Sequence, residues 1–338
     1  MRMFIYFLGK RGGGSLFTFE VLEKLLEKEI DLSILVHESN LELRDQIRKM
    51  NQNRHEESQI VTRLFRIRLS FVLNLWRFLK YAKKSDSSLI ALNTMMSHRD
   101  YWIRPILKIL KIVRWQVIHD DKRHKGDYYP GNYEIVRRAR KSDRVWVLSK
   151  SVRNKLEQKN IASNLIFKYE LAMSQQVPLD CNYILSIGRQ RNYQGRARID
   201  SLLQHPLKEN CYWVIAGEST PRMTTTNEAI FLPRWLEDFQ FFQLIARARV
   251  VVFPYLEATQ SGVLKIAQEL GKVVVVTPVS GLTEFVQEYA DGFICAENTV
   301  ESFIDSLESA LSYTSNSLRV NQILRTSLSE DFITSIQK

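Results

Sequence analysis

Strand-length apolar runs alternate with helix-length segments along most of this 338-residue chain, and the alternation restarts halfway. In the first half residues 4–8, 31–37, 89–93, 115–119 and 144–149 read as strands, with a helix over 18–29 after the first. In the second half residues 183–188, 212–217, 229–232, 250–254, 273–278 and 292–296 read the same way. Runs such as Val273–Val276 are apolar at every position, the mark of strands covered on both faces. Strands joined through helices lie parallel, because such a crossover needs roughly a dozen residues. The expectation is an α/β chain of two Rossmann-like parallel-sheet domains, 1–174 and 183–318, with a linker at 175–182 that holds Pro178. The last stretch, 319–338, reads as a helix with no strand to pair, packing back on the first domain.

Composition narrows the class. Hydrophobic residues make up 45% and charged residues 25%, which excludes a disordered chain. No apolar run reaches the ~20 residues of a membrane-spanning helix. The opening run, 1–10, is too short for a signal peptide and reads as a buried strand. Cys181, Cys211 and Cys295 are widely spaced and odd in number, so neither a disulfide framework nor a zinc site follows, and a reducing, cytoplasmic compartment is expected.

The net charge of +11 is uneven: residues 1–170 hold 34 Lys and Arg against 19 Asp and Glu, and residues 171–338 hold 14 against 18. A basic first half points to an acidic partner. Residues 60–84 carry Arg63, Arg66, Arg68, Arg77, Lys80, Lys83 and Lys84 among large apolar side chains, and 102–115 carry Arg104, Lys108, Lys111 and Arg114. Basic amphipathic helices with aromatics fit an anionic membrane surface, and equally two helices that pack on a sheet and show a solvated basic face. No nucleic-acid motif accompanies them, so no specific nucleic-acid partner is expected.

Two loops carry chemistry. Gly12-Gly13-Gly14 follows the first strand and precedes a helix, where a backbone can approach a ligand and a helix N-terminus favours phosphate. Residues 253–286 read FPYLEATQSGVLKIAQELGKVVVVTPVSGLTEFV. There a strand ends at Pro254, a polar loop of small residues runs from Glu257 through Thr259 and Gln260 to Gly262, and a helix begins near Val263. Ligands bind at such strand ends in open α/β sheets. The amides of Ser261, Gly262 and Val263 suit a diphosphate, and Glu257 can accept sugar hydroxyl protons.

This segment resembles the donor-binding signature of the group 1 retaining glycosyltransferases of the GT-B fold. Glu257 matches the first of the family's two glutamates, and Lys265 stands at the second. Residues 258–263 are similar to a branch with an Ala-Thr/Ser-Gln-Ser-Gly-Val loop that also lacks the second glutamate. Arg189 matches the arginine that clamps the donor diphosphate, Gln194 takes the clamping lysine's position, and Arg191 is a substitute for it. Gly217 resembles the next glycine turn, and residues 142–149 a further strand of the family. His119-Asp120 followed by His124 and Gly126 resembles the His-Asp…His-x-Gly element, whose first histidine faces the donor sugar.

The resemblance implies two domains facing each other across a cleft, with catalytic residues His119 and Glu257. It implies a donor site of Gly13, Gly14, Arg189, Gln194, Gly217, Thr259, Gln260, Ser261, Gly262, Val263 and Lys265, with Asp120 and His124 nearby. It implies retaining transfer from a nucleotide-sugar co-substrate to a glycan or lipid-linked acceptor, without metal or cofactor, and a peripheral place at the inner membrane face in bacterial surface polysaccharide assembly. No D-x-D run is present, since Asp120 and Asp121 are adjacent. Bland roles remain open: a hydrogen-bonded structural histidine, aspartate helix caps, and a Lys265–Glu269 pair on a helix face. Three other classes also stay open: a GT-B nucleotide-sugar epimerase, an inactive scaffold and a nucleic-acid-binding protein.

Overall fold

The computed structural model describes residues 2–9, 13–37, 39–52, 69–122, 131–173, 182–189, 191–217, 228–289, 292–314 and 322–337. The chain forms two compact units, Met1–Lys168 with Ser327–Lys338, and Tyr169–Thr326.

The first unit runs β1 (Arg2–Phe7), α1 (Gly13–Leu26), β2 (Asp31–Val36), α2 (Leu41–Gln52), α3 (Leu69–Ser85), β3 (Ile90–Asn93), α4 (Ile103–Ile109), β4 (Val113–Ile118), α5 (Asn132–Arg140), β5 (Arg144–Val147), α6 (Lys150–Glu157) and β6 (Asn164–Leu165). Its strands form one parallel sheet in the order β2-β1-β3-β4-β5-β6. β3 is buried at every position, as a doubly covered parallel strand must be. A buried ionic network stiffens this unit. Arg138 and Asp100, each with a side chain 1% exposed, form an ion pair, and Arg138 Nε donates to Glu134 at 2.6 Å. Arg137 donates to the same carboxylate at 2.6 and 2.9 Å, and these guanidinium bonds hold the Glu134 carboxyl down at about 2.

The chain leaves this unit through β7 (Phe167–Met173), and the second unit follows with β8 (Tyr183–Ile187), α7 (Arg196–Leu203), β9 (Tyr212–Ala216), β10 (Ala229–Leu232), α8 (Asp238–Arg247), β11 (Val250–Phe253), α9 (Gly262–Glu269), β12 (Val273–Val276), α10 (Ser280–Tyr289), β13 (Gly292–Ile294) and α11 (Val300–Thr314). The sheet order is β10-β9-β8-β11-β12-β13, again parallel. β11 and β12, VVVF and VVVV, are fully buried, with β-branched side chains filling both faces. On one face Phe303, Leu307, Ala310 and Leu311 of α11 bury a helical stripe, and on the other Leu264, Ala267, Leu282 and Phe285 do so.

The end of the chain departs from the expected single helix over 319–338. Gln322–Leu328 is a strand, β14, that pairs with β7, and only Glu330–Gln337 is helical, as α12. Ser329 makes the switch: its hydroxyl accepts the Phe332 N–H at 3.2 Å, an N-cap that starts the helix. Phe332 then packs on Trp115 and Trp146, with ring centroids 5.4 and 4.7 Å away. Of the linker proposed at 175–182, only Asn182 lies among the described residues.

Candidate functional site

In the second sheet the strand order reverses between β8 and β11. A crevice opens outside the carboxyl ends of the strands at such a point. Four backbone approaches shape what hangs there. Gly195, with φ +78°, abuts Pro254 at the end of β11: a Cβ on it would stand 1.8 Å from the Pro254 carbonyl oxygen. Gly217, with φ +136°, abuts the Gly188 carbonyl. Gly281 at the start of α10 lies against the backbone of Ala258 and Thr259. The Tyr193 carbonyl accepts the N–H groups of Leu256 and Glu257 at 2.8 and 3.2 Å. Thr277 Oγ1 adds a bond of 2.6 Å to the Tyr255 carbonyl. The loop from Pro254 to Ser261 is therefore held by β8, β12 and α10 before any ligand arrives.

Within that loop Thr259 is buried, Gln260 half-buried and Glu257 exposed. Ser261 caps α9 by accepting the Leu264 N–H at 3.2 Å. Helix geometry leaves the N–H groups of Gly262 and Val263 without an intrahelical acceptor. A Cβ at Gly262 would meet nothing within 4 Å, and the residue is exposed. This arrangement suits an anion, through oriented amides and the positive end of the helix dipole. Arg189 is exposed at the end of β8, close enough for its charge to act on the buried Tyr255 phenol. Burial pushes that phenol's pKa up, and it bonds to Ser261 and to Gln194, whose Nε2 donates at 3.3 Å.

Lys265 lies one turn into α9 and pairs with Glu269 at 3.2 Å. Glu269 also accepts the Thr326 hydroxyl of β14 at 2.7 Å.

The first unit gathers its own polar group around Thr94, just beyond β3. The glycine turn differs from expectation there. The helix begins at Gly13, not at residue 18, so Gly13 and Gly14 form its first turn. Gly14 is packed: a Cβ on it would meet Met95 Sδ at 2.3 Å and the Phe7 ring at 3.1 Å. Close approach of α1 to the β3 end draws those glycines into the helix. Thr18 then reaches Thr94, hydroxyl to hydroxyl, at 2.7 Å.

His119, at the end of β4, is buried with its ring edge against Phe17, 4.8 Å between centroids. Its Nε2 lies 2.8 Å from the Thr94 carbonyl oxygen. A carbonyl only accepts, so Nε2 carries the proton and Nδ1 of the neutral ring is an acceptor. Burial lowers the His119 pKa against the smaller pull of Thr94 and Asp120, which keeps the ring neutral at pH 7. Asp120 is half-buried. Asp121 meets Lys155 at 3.5 Å and Lys159 at 3.3 Å. His124 and Gly126 lie outside the described residues.

The basic stretches are surface helices in part. Of 60–84, the described portion is α3, where Lys80 lies over the Trp76 ring at 4.8 Å and Lys83 donates to the Ser87 carbonyl. Of 102–115, α4 ends at Ile109 and Val113 already belongs to β4. Tyr81 and Ile109 are each 70% exposed beside exposed Lys80, Lys84, Lys108 and Lys111. Among the described residues no helix is long and apolar enough to cross a membrane, and no group of His, Cys, Asp and Glu has the makings of a metal site.

Sequence reasoning passed over Tyr255, Thr277 and Thr94. The placement of Tyr255 directly after Pro254, at the mouth of an all-apolar strand, was the available signal.

No curated protein matches this chain. Among solved structures it is similar to HepE of Anabaena in complex with UDP-glucose, at 13% identity and TM-score 0.62 over 95% of this chain and 96% of that one. It is similar to S. aureus TarM in complex with fondaparinux, α-GlcNAc-glycerol and UDP, at 12% identity and TM-score 0.64 over 94% and 95%. It is also similar to the UDP-GlcNAc 2-epimerase of Neisseria meningitidis bound to UDP-GlcNAc, at 11% identity and TM-score 0.59 over 100% and 99%. The fold is GT-B, with a Rossmann-like parallel sheet in each unit, and residues 182–313 match the family described as Glycosyl transferases group 1.

Proposed function

We propose that the chain is a glycosyltransferase that moves a sugar from a nucleotide-sugar donor to a glycan or lipid-linked acceptor. The observation that carries this reading is the clamped Pro254–Ser261 loop at the switch point of the second sheet. It sets exposed Glu257 ahead of the amides of Gly262 and Val263. The match of residues 182–313 and the nucleotide-sugar named for the Anabaena structure support it.

In this reading the amides of α9 and Arg189 stabilise charge on the departing diphosphate, as preorganised donors do best. Glu257 accepts a hydrogen bond from a hydroxyl of the sugar, and the neutral Nδ1 of His119 is a hydrogen-bond acceptor in the first unit. Transfer is retaining and needs no metal: the bond from the anomeric carbon to the phosphate oxygen breaks, the acceptor oxygen bonds to that carbon on the same face, and the departing phosphate takes the acceptor's proton. The basic first unit serves acceptors at an anionic membrane surface, in the cytoplasm, in surface polysaccharide or lipopolysaccharide assembly.

The likeness to UDP-GlcNAc 2-epimerase keeps a second reading, a nucleotide-sugar epimerase, in play. One assay separates the two. Protein is incubated with each nucleotide-sugar and lipid-linked or free glycan acceptors, and products are read by NMR. Release of nucleoside diphosphate with a new glycosidic bond of unchanged anomeric configuration supports transfer. Conversion of the donor to its epimer without acceptor supports the second reading, and an inverted linkage contradicts the retaining mechanism.

A further inference from the structure

Three aromatic rings stand exposed at one end of the first sheet. Tyr101 is 54% exposed, Trp102 52% and Tyr133 81%. Tyr101 and Trp102 close the short helical turn His98–Trp102 that leads from β3 into α4, and Tyr133 opens α5 after β4. β3 and β4 are parallel neighbours, so all three rings lie at the carboxyl ends of the strands, the end at which His119 stands. A lone exposed aromatic is ordinary; a group of them at one sheet end marks a binding surface.

The rings are linked and held. The Arg137 guanidinium lies over the Tyr101 ring, 5.9 Å from its centroid. Tyr133 precedes Arg137 by four residues on α5, on the same helix face. Arg137 is itself fixed by its two bonds to Glu134. Next to Tyr101, the Asp100 carboxylate accepts Asn93 Nδ2 at 2.7 Å and the Ser97 N–H at 2.9 Å. It also pairs with Arg138, which donates to the Ser97 carbonyl at 3.1 Å. These bonds tie the turn to β3 and to α5. The buried ionic network therefore fixes the two elements that carry the rings, and rings held in advance lose little freedom on binding.

We propose that Tyr101, Trp102 and Tyr133 form a stacking platform for the sugar rings of the acceptor glycan. The inference rests on the glycosyltransferase reading above and adds to it how the acceptor is recognised. A pyranose ring has a face of C–H groups, whose weakly positive hydrogens suit the negative face of an aromatic ring. In the network beneath the platform two guanidinium groups, Arg137 and Arg138, balance two carboxylates, Glu134 and Asp100. That balance suits a glycan rather than an anionic lipid surface. The lysine-flanked Ile109 stands at the other end of α4, about 10 Å along its axis, so the rings are separate from the basic face.

Saturation-transfer NMR of the full chain tests this, with chitotriose, maltotriose and the methyl glycosides of galactose, mannose and rhamnose as probes. At least one probe should receive saturation, strongest at the C–H protons of one ring face. Trp102→Ala and Tyr133→Ala should each weaken that probe about fivefold or more, the scale of an aromatic anchor lost from an interface. Trp102→Phe, which keeps a ring, should retain most of the binding. The rings are exposed, so the variants should melt as wild type does and keep its thermal shift with UDP, GDP or dTDP. A nucleotide that binds while no probe does, or a probe whose binding survives the loss of both rings, overturns the inference and leaves the donor site standing. Loss of cosedimentation with phosphatidylglycerol vesicles in the alanine variants, with glycan binding unchanged, overturns it in favour of a membrane contact. Wild-type protein that binds neither nucleotide nor probe overturns the function on which the inference rests.

Discussion

Gly195 meets Pro254 so closely that a Cβ on Gly195 would stand 1.8 Å from the Pro254 carbonyl oxygen, and its φ of +78° lies in the left-handed region. Two loops at the switch point are joined there by backbone alone. Gly195→Ala adds both the left-handed penalty of about 1–2 kcal/mol and a clash. It should lower the melting temperature by about 4 °C or more, for a unit of this size, and weaken nucleotide binding with it. Gly262 is the contrast, since a Cβ there would meet nothing within 4 Å. Gly262→Ala should keep or raise stability, by up to about 1 kcal/mol, while weakening nucleoside diphosphate binding. Calorimetry and titration of both variants check this; a Gly262→Ala protein that binds diphosphate as tightly as wild type contradicts a diphosphate packed against the open face of Gly262.

The same strands explain how much of the fold was legible in the sequence. β11 and β12 are apolar at every position, the pattern of parallel strands buried on both faces, so the second sheet could be read. The β7–β14 pair could not. Phe167–Met173 and Gln322–Leu328 mix charged and apolar residues, and their pairing joins segments far apart in the chain. The Gly12–Gly14 turn misled because glycine disfavours helix locally, whereas packing of Gly14 on Met95 and Phe7 decides where α1 begins. In the candidate site, the polar loop from Glu257 to Gly262 was readable from its place between a strand and a helix, whereas the Ser261 cap emerged only in the structure. Nor could the commitment of Gln194 to Tyr255 be read, because it depends on two loops that meet only in three dimensions.

Arg138 and Asp100 form an ion pair with both side chains 1% exposed. Arg138→Met would leave the Asp100 carboxylate buried without its partner. Breaking such a pair from one side costs about 3–5 kcal/mol. Urea unfolding should show a loss of that order in the first unit, whereas a loss below about 1 kcal/mol would mean that water reaches Asp100.

His119 has its pKa lowered by burial, so the folded state holds the neutral ring. The unfolded chain takes up a proton near the ordinary histidine value of 6.5, and the folded state only below it. This contribution to stability is complete above 6.5 and is lost as pH falls through the folded value. His119→Gln keeps an N–H for the Thr94 carbonyl but cannot take up the proton. Its melting temperature should fall less than that of wild type between pH 6.5 and 5. Parallel slopes would show that His119 does not titrate in this way.

Exposed Lys80 and Lys84 lie near exposed Tyr81 on α3, and exposed Lys108 and Lys111 lie on either side of exposed Ile109 at the end of α4. If this face meets an anionic membrane, each lysine contributes about 1 kcal/mol near the surface. Replacing all four by glutamine should abolish cosedimentation with phosphatidylglycerol vesicles, and added salt should weaken the wild-type interaction. Unchanged cosedimentation would leave these as solvated helix faces.

The central claim is that the second unit binds a nucleotide-sugar at the Pro254–Ser261 loop. A thermal-shift screen of UDP, GDP, dTDP, CMP and their common sugars tests it most directly, without metal and then with magnesium. One nucleotide family should raise the melting temperature, by about 2.7 kcal/mol of stabilisation at a hundredfold excess over its dissociation constant. The shift should shrink in Arg189→Ala and Glu257→Ala. No shift from any nucleotide, or a shift that both variants keep, would contradict the account.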